Sequence, residues 1–537
     1  MKLTARYQFC GSLALLIVCA FSVLSRPYSD SDIISLRATL TDARQLRERF
    51  AYKEALQTLD RAARYHKNSA DLLAEYGYIW LDTEETERAI SFFDRALKMQ
   101  PTSERAIAGR AAADLMRRDF VSAESRLRDF VSKTPQSSLA RVTLARVYFE
   151  NDRTADAEYE AARVLANDAG NEMALNLLAF IKATQRDASE ARRLARRALD
   201  LTPNSPSLRR LLSQYLDGQL GYAQQVPIAA RRYYLQGKTL KQAGKINEAI
   251  TELEAALKDE PLYYRALIAL GDIWLRQEEY ERAAAMAQRA LKADADGAAA
   301  HLILSYANAG IQERARIALG AKDFTIEFFN QTAPLKFNAT AEIFPNYRSL
   351  SARQQFVVDA AVAPFATFLP TLTRRGARHY LISFDERASD IKGVEDVPDE
   401  RTFDGRYFAS LRGIGGRVTV SGLEYLEMAT RAGYNTVAHE FAHQVHMNAL
   451  AAVDLKRIRK LYENAVREER ALDYYAAADE YEYFAQGYEA YVSLVKRPST
   501  GATARHTRSE LLQRDPDLFN FIEELAGKLK SPVSGSL

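Results

Sequence analysis

Small and apolar residues recur with a period of 34 positions along the first half of the chain. One series consists of Pro101, Pro135, Ala169 and Pro203, followed by Pro227, Pro261 and Ala295. A second series consists of Ala55, Ala89, Ala123, Ala157 and Ala191, followed by Ala249 and Ala283. Small residues at fixed intervals let paired helices approach closely. The pattern predicts stacked helix pairs, five over residues 36–205 and two over residues 230–297.

This part of the chain resembles the tetratricopeptide family, whose helix-pair repeat has the same length. The resemblance implies a superhelical scaffold over 36–297 with a groove that binds a protein partner. A spacer or a surface for self-association is the alternative. Residues 206–229 interrupt the repeats and predict an extra helix or a bend. Residues 298–330 predict a capping helix, over 301–310, and a linker.

The second half of the chain carries a mixed pattern in which the 34-residue period ends. Residues 324–344 carry alternating and β-branched residues, and residues 352–372 predict a helix that kinks or breaks at Pro364. A strand over 379–384 and a loop over 385–404 follow. Strands over 406–411 and 418–420 are expected to form a hairpin around 413–416. The second hairpin strand is either an edge that pairs with an extended peptide substrate or an ordinary sheet edge. The predicted fold is mainly α, with a solenoid followed by an α+β domain over 331–537.

The segment His439-Glu440-Phe441-Ala442-His443 is the clearest chemical motif of the chain. The apolar residues Val437, Phe441 and Val445 recur at four-residue spacing. This stripe predicts that the motif lies on a helix. Two His one helical turn apart can bind one zinc ion, and Glu440 between them is placed to act as a general base. The alternative is a buried helix whose His side chains are satisfied by hydrogen bonds. The chain has only 7 His, which makes a chance match improbable.

Two His leave a zinc ion short of ligands, so a third ligand is expected elsewhere. Residues 479–491 form an acidic segment in which Glu482 and Glu489 share one helical face. Either could complete the site, and Glu480 is a weaker third choice. His446 follows His439 by seven residues, two helical turns away, so we expect it to support the site from outside or to lie at the surface.

The His motif and the later segment Tyr475-Ala-Ala-Ala-Asp-Glu-Tyr-Glu482-Tyr-Phe-Ala together resemble the catalytic domain of anthrax lethal factor and its relatives, the gluzincin metallopeptidases. The resemblance covers roughly 340–537 and implies a zincin-like domain over 331–537. It implies that Glu482 is the third zinc ligand and Glu440 the general base. It also implies that Tyr475 assists catalysis, although Tyr474 beside it could take that role. Gln486 departs from the Glu that the family often has there.

The N-terminus and the charge balance bear on where the protein works. Lys2 and Arg6 precede an apolar run over residues 9–24, which predicts a signal peptide over 1–26 or an uncleaved membrane anchor. The expected location is the periplasm or another extracytoplasmic compartment. Both cysteines, Cys10 and Cys19, lie in this segment, so a cleaved chain would have no disulfide and no thiolate ligand. The net charge of +3 over 537 residues does not indicate a nucleic-acid partner.

These observations together predict an exported zinc metalloendopeptidase. Its repeat array would hold a protein substrate or partner, and its second domain would cut peptide bonds. One rival is a non-catalytic tetratricopeptide scaffold protein with a relic peptidase fold, although the intact Glu440 argues against it. The other rival is a metal-dependent hydrolase of a different substrate, such as a cell-wall peptide.

Overall fold

The structure is a computed structural model that describes residues 35–216, 219–331, 337, 339–394, 401–408, 411–497 and 504–527. The helices of the first half are α1 Leu36–Glu48, α2 Tyr52–Ala63, α3 Ala70–Asp82, α4 Thr86–Met99, α5 Glu104–Met116, α6 Phe120–Lys133, α7 Ser138–Glu150, α8 Thr154–Asn167, α9 Glu172–Thr184, α10 Ala188–Leu201, α11 Pro206–Ser213, α12 Gln219–Tyr222, α13 Ile228–Gln242, α14 Ile246–Asp259, α15 Tyr264–Arg276, α16 Tyr280–Ala293 and α17 Ala298–Ile317.

The second half mixes helices with a small sheet. Its elements are α18 Phe324–Gln331, α19 Thr340–Ile343, α20 Ala352–Val362, α21 Leu369–Arg374, β1 Arg378–Ile382, β2 Gly413–Ile414, β3 Val418–Gly422, α22 Glu424–Ala432, α23 Thr436–Asn448, α24 Ala452–Arg467, α25 Glu480–Val492, α26 Arg508–Arg514 and α27 Pro516–Gly527. Short 3₁₀ helices span Tyr347–Ser349, Ala363–Phe368 and Ala388–Asp390.

Helices α1–α10 and α13–α16 form consecutive pairs whose boundaries follow the 34-residue period. In four pairs a polar side chain caps the first helix by accepting a hydrogen bond from the backbone N–H three residues later; these residues are Ser69, Ser103, Ser137 and Asn171. Ser205 caps the unpaired helix α11 in the same way. A residue with φ near +60° makes the turn inside a pair, at Phe50, Glu84, Arg118, Asp152, Arg186 and Glu278. Caps and turns therefore repeat with the same register as the alanines.

The periodic alanines lie where the two helices of a pair touch. Each of them has no exposed surface, and they are Ala55, Ala89, Ala123, Ala157, Ala191, Ala249 and Ala283. A larger side chain there would separate the helices, because packed interiors leave little free volume. The predicted solenoid of helix pairs is confirmed.

The solenoid curves until its last helix meets its first pairs. Helix α17 packs against α11, which lies between the fifth and sixth pairs. The Gln312 side chain of α17 donates to the Tyr52 hydroxyl at 3.2 Å, and Arg316 donates to the Thr83 carbonyl oxygen at 3.2 Å. We call helices α1–α17 the array and residues from 324 onward the second unit.

The second unit is built around a core of aromatic side chains between α20, α23, α25 and α27. The Phe365 ring stacks on Tyr488, with centroids 4.0 Å apart, and on Phe484, with centroids 5.9 Å apart. A three-stranded sheet of order β1-β3-β2 lies beside α23. Strand β1 runs parallel to β3 and β2 runs antiparallel to it.

One sequence expectation for the second unit is wrong. Residues 406–408 lie in a loop, because the Arg406 side chain is held by Asp404 and Tyr475; the antiparallel partner of β3 is β2 instead. Strand β3 is therefore central and β2 is the edge. The described part of segment 324–344, for which the sequence named no element, contains α18 and α19, and its residues Phe328, Ile343 and Phe344 pack on the core.

The described residues contain one stretch, Ala352–Arg374, that could span a membrane by length and composition alone. Half of its most apolar window is buried in the fold, and the 3₁₀ segment Ala363–Phe368, with Pro364, interrupts it. These features are those of a core segment of a folded domain. The predicted signal peptide or anchor over 1–26 lies outside the described residues.

The second unit contacts the array at helices α13–α17. Phe384 is 3% exposed and packs in the apolar core of the sixth and seventh pairs. Lys241 of α13 forms an ion pair with Asp385, and Arg497 binds Glu313 of α17 with two hydrogen bonds of 2.7 and 2.9 Å. The array therefore contacts the second unit at several points.

Candidate metal centre

Helices α23 and α25 bring three predicted ligand residues together. Asn435 caps α23 by accepting a hydrogen bond from the Ala438 N–H at 3.1 Å, and the helix then presents His439 and His443 on one face. Their Nε2 atoms lie 3.1 Å apart. Glu482, in the first turn of α25, places its Oε2 atom 3.2 Å from Nε2 of His439 and 3.4 Å from Nε2 of His443.

These distances fit a tetrahedral zinc site. Zinc–ligand bonds of about 2.0–2.1 Å at tetrahedral angles place ligand atoms roughly 3.3 Å from one another. The buried Oε2 atom of Glu482 also has no hydrogen-bond partner of normal geometry. Within the described ranges, this is the one cluster of three or more His, Cys, Asp or Glu side chains whose ligand atoms come close enough to share an ion. The residues present therefore suit zinc.

Burial and neighbouring side chains shift the pKa of Glu482 in opposite directions. Burial alone would raise the pKa of this carboxyl, but the two adjacent imidazoles hold the pKa well below its usual range. Glu482 is thus an ionised carboxylate at neutral pH, which is the form that binds a metal.

Glu440 lies on α23 between the two His and is 6% exposed. Strand β2 and the turn after it lie directly on this helix. A Cβ atom on Gly413 would overlap Oε1 of Glu440, and one on Gly415 would overlap the His443 side chain. Burial is the main reason that the pKa of Glu440 is raised. From the sequence, these glycines were predicted only to form a hairpin turn. Their position against α23 depends on tertiary packing, which the sequence does not reveal.

Tyr475 lies in the loop before α25, with its ring centroid 6.3 Å from that of His439. Its hydroxyl oxygen accepts a hydrogen bond from Nη2 of Arg406 at 2.8 Å, and Nε of Arg406 donates to Asp404 at 3.0 Å. Burial raises the pKa of Tyr475 well above its usual value, and Arg406 offsets part of that rise. The hydroxyl therefore keeps its proton, and Arg406 leaves that proton free to be donated.

The array holds the loop that carries Arg406. The Phe403 ring lies 5.2 Å from the Tyr475 ring, and the Arg186 guanidinium lies 4.8 Å over the Phe403 ring. A Cβ atom on Gly405 would overlap Ala188 of α10, and Gly405 also has φ +82°. Arg406 and Asp404 were not predicted as site residues; their only signal in the sequence is that two charged residues stand close together where a loop was expected to pass into a strand.

The other candidate ligands have different partners. Glu489 accepts from the Asn435 N–H at 2.9 Å and pairs with the buried Lys496 at 2.5 Å, so it anchors the start of α23. Glu480 pairs with Arg459 at 2.8 Å. His446 is 2% exposed and its ring lies 4.7 Å from that of Tyr481, so a surface position is wrong for it.

The metal centre opens into a cleft of about 460 Å³ between the two units. The second unit contributes the three ligand residues and Glu440 to the lining of this cleft. It also contributes Tyr474, Tyr475 and Gln486. The array contributes side chains from α9, α11 and α17, including Phe180, Leu211, Leu302 and Tyr306. Helices whose sequences carry no recognisable chemistry therefore form one wall of the site.

Comparison with known proteins finds repeats in two parts of the array. Residues 44–104 and 234–299 match the family model described as tetratricopeptide repeat. The chain therefore contains tetratricopeptide repeats, as predicted. No curated protein was found to match the chain.

Several solved structures are similar to part of this chain. One is a tetratricopeptide repeat protein from Parabacteroides merdae, with 16% identity and a TM-score of 0.24 over 50% of this chain and 98% of that one. Another is YrrB, a repeat protein with an unusual peptide-binding site, with 16% identity and a TM-score of 0.17 over 44% of this chain and 93% of that one. PilW, a type IV pilus biogenesis factor, has 14% identity and a TM-score of 0.27 over 42% of this chain and 93% of that one.

Proposed function

We propose that this protein is a zinc-dependent hydrolase of peptide bonds whose repeat array encloses the reaction site. The observation that carries the proposal is the set of ligand-atom distances of 3.1, 3.2 and 3.4 Å between His439, His443 and Glu482. Glu440 adds a buried carboxylate on the same helical turn. Three ligands with a nearby acid are typical of catalytic zinc sites, which keep one position open.

The chain's own residues would divide the reaction between them. Zinc held by His439, His443 and Glu482 would acidify a water molecule and polarise the substrate carbonyl. Glu440 would take the proton from the attacking water and later deliver it to the leaving amine. The Tyr475 hydroxyl would donate a hydrogen bond to the carbonyl oxygen as negative charge develops there. Strand β2, at the sheet edge, would offer backbone groups to an extended substrate.

The test is hydrolysis by purified, zinc-loaded protein. A mixture of reduced, alkylated proteins and a preparation of cell-wall peptides would be incubated with the protein and with Glu440→Gln. The proposal expects the wild-type protein to cut peptide bonds, and Glu440→Gln to lose nearly all activity while keeping its zinc and its melting temperature. Equal fragment patterns from the two proteins would contradict it. Cleavage of cell-wall peptides alone would favour the narrower substrate class.

A second candidate is a non-catalytic tetratricopeptide scaffold that binds a protein partner. The family match favours it, because that match covers repeats only. Gln486, which replaces a Glu common in the resembling peptidases, also favours a relic site. This candidate predicts zinc binding without hydrolysis of either substrate preparation.

The cellular location belongs to the same proposal. A leader over residues 1–26 would direct the chain to the periplasm or another extracytoplasmic compartment, or hold it at the membrane through residues 9–24. Fractionation of cells that express the full chain tests this directly, with recovery in the cytoplasm as the contrary result.

A further inference from the structure

A second groove lies on the array next to the metal cleft. It has a volume of about 570 Å³ and is lined by Glu158 and Tyr159 of α8, by the end of α9 and by Tyr474. Tyr474 lines the metal cleft as well. The end of α9 also joins the two spaces, because Ala183 lines the cleft and the next residue, Thr184, lines the groove. We call this second space the α8–α9 groove.

The size of the metal cleft limits what can enter it. A volume of about 460 Å³ is in the range of pockets that hold a small molecule or a few residues of a peptide. The array forms one wall and the second unit the other, and ion pairs such as Arg497–Glu313 join them. A folded protein surface cannot reach ligand atoms between two such walls, whereas an extended chain can.

The α8–α9 groove has the chemistry of a surface for an extended, uncharged stretch of peptide. The Tyr159 side chain is 61% exposed, although it is large and mostly apolar. Glu158 forms an ion pair with Lys182, which neutralises its negative charge, and it also accepts a hydrogen bond from the Gln185 side chain. Aromatic rings give peptide side chains and backbone a large contact area at low cost in conformational entropy.

We propose that the substrate is an unfolded polypeptide segment that runs from the metal cleft past Tyr474 into the α8–α9 groove, where it packs on Tyr159. This inference rests on the proposed peptidase function and adds the class of substrate and its path. Residues next to the cut bond lie in the cleft, and residues several positions away lie in the groove. At roughly 3.3 Å per extended residue, a peptide must be several residues longer than the cleft to reach Tyr159.

The first experiment measures kcat/KM for two peptides that share one cleavage site, a short one that fills the cleft only and one extended by about eight residues at either end. The wild-type protein should cut the longer peptide more efficiently. Tyr159→Ala should lower kcat/KM for the longer peptide about fivefold, through KM, and leave the short peptide unchanged, because one aromatic contact is lost. Tyr65→Ala is the matched control, since Tyr65 is 60% exposed and distant from the groove in sequence.

The second experiment compares one protein in two states. Reduced, alkylated lysozyme and native lysozyme have the same sequence, and only the unfolded form should be cut. Equal cleavage of both forms, or equal effects of Tyr159→Ala on short and long peptides, would overturn the inference while leaving the peptidase proposal intact. Absence of any cleavage by wild-type protein beyond that of Glu440→Gln would instead overturn the proposed function.

Discussion

The array and the second unit differ in how they bury ionisable side chains. The array packs alanines such as Ala157 at its helix contacts, and its buried acid Asp272 forms an ion pair with Lys241. The second unit buries Glu440 and His443 together on one helix, beside the other two candidate ligands. Burying a charged group is costly unless it has a partner, so buried charges persist as ion pairs or where they perform a task. In the proposed function, the buried charges of the array support its shape, and those of the metal centre serve the reaction.

The largest expected effect concerns the reaction itself. Tyr475→Phe removes a hydroxyl that Arg406 orients, and it should lower kcat about 100-fold with little change in KM, because the hydrogen bond forms in the transition state. Steady-state kinetics on a peptide substrate measure it. Tyr474→Phe is the control and should retain kcat. The reverse result, with Tyr474→Phe impaired and Tyr475→Phe active, would move the role to Tyr474.

The second largest expected effect concerns the packing of helices inside the array. Ala157→Leu forces a larger side chain between α7 and α8 and should cost about 1–3 kcal/mol of unfolding free energy. Ala162→Leu, on the exposed face of the same helix, is the matched control and should be nearly neutral. Denaturant unfolding and a zinc assay are the measurements. Both variants should bind zinc as the wild-type protein does; loss of zinc in Ala157→Leu without loss of stability would contradict the division of roles.

The smallest effect concerns the contact between the two units. Burial opposes ionisation of Glu313, but hydrogen bonds and attraction from Arg497 and Arg316 lower the pKa of Glu313 to about 2. A lowered pKa in the folded state stabilises the protein above the ordinary Glu range, and that stability is lost as the pH falls towards 2. Because Glu313 is partly exposed, the contribution should stay below about 1 kcal/mol.

Melting temperatures between pH 6 and pH 2 test this contact. Glu313→Gln should melt below the wild-type protein at pH 6, and the gap should close as the pH falls. Glu54→Gln, which alters an exposed carboxylate on α2, is the control for the change in net charge. A gap that stays constant with pH would show that the Arg497–Glu313 pair does not stabilise the contact between the units.

The array could be predicted from the sequence because its pattern is local and periodic. The 34-residue series of alanines corresponds to buried helix contacts, and the same register recurs in the caps from Ser69 to Ser205. Helix α23 could also be predicted as a metal-binding helix, since His439 and His443 are one helical turn apart in the sequence. Helices α23 and α25 do pack together and place Glu482 beside the two His, while Glu489 and Glu480 have other partners.

Contacts between distant parts of the chain could not be predicted from the sequence. Arg406 meets Tyr475 across 69 positions, and Arg186 of the array meets Phe403 across more than two hundred. No local pattern encodes such a pairing. The edge strand was misplaced for the same reason: side-chain contacts hold residues 406–408 in a loop, and the glycines of β2 reveal their role only against Glu440.

Zinc content decides whether His439, His443 and Glu482 share one metal ion, on which the proposed reaction depends. Purified full-length protein would be equilibrated with zinc, desalted and analysed by mass spectrometry for metal per chain. The wild-type protein and Glu480→Gln, altered on the same helix two residues away, should each retain about one zinc. Glu482→Gln should bind at least tenfold more weakly. Zinc retained by Glu482→Gln with wild-type affinity, or no zinc in the wild-type protein, would contradict the account.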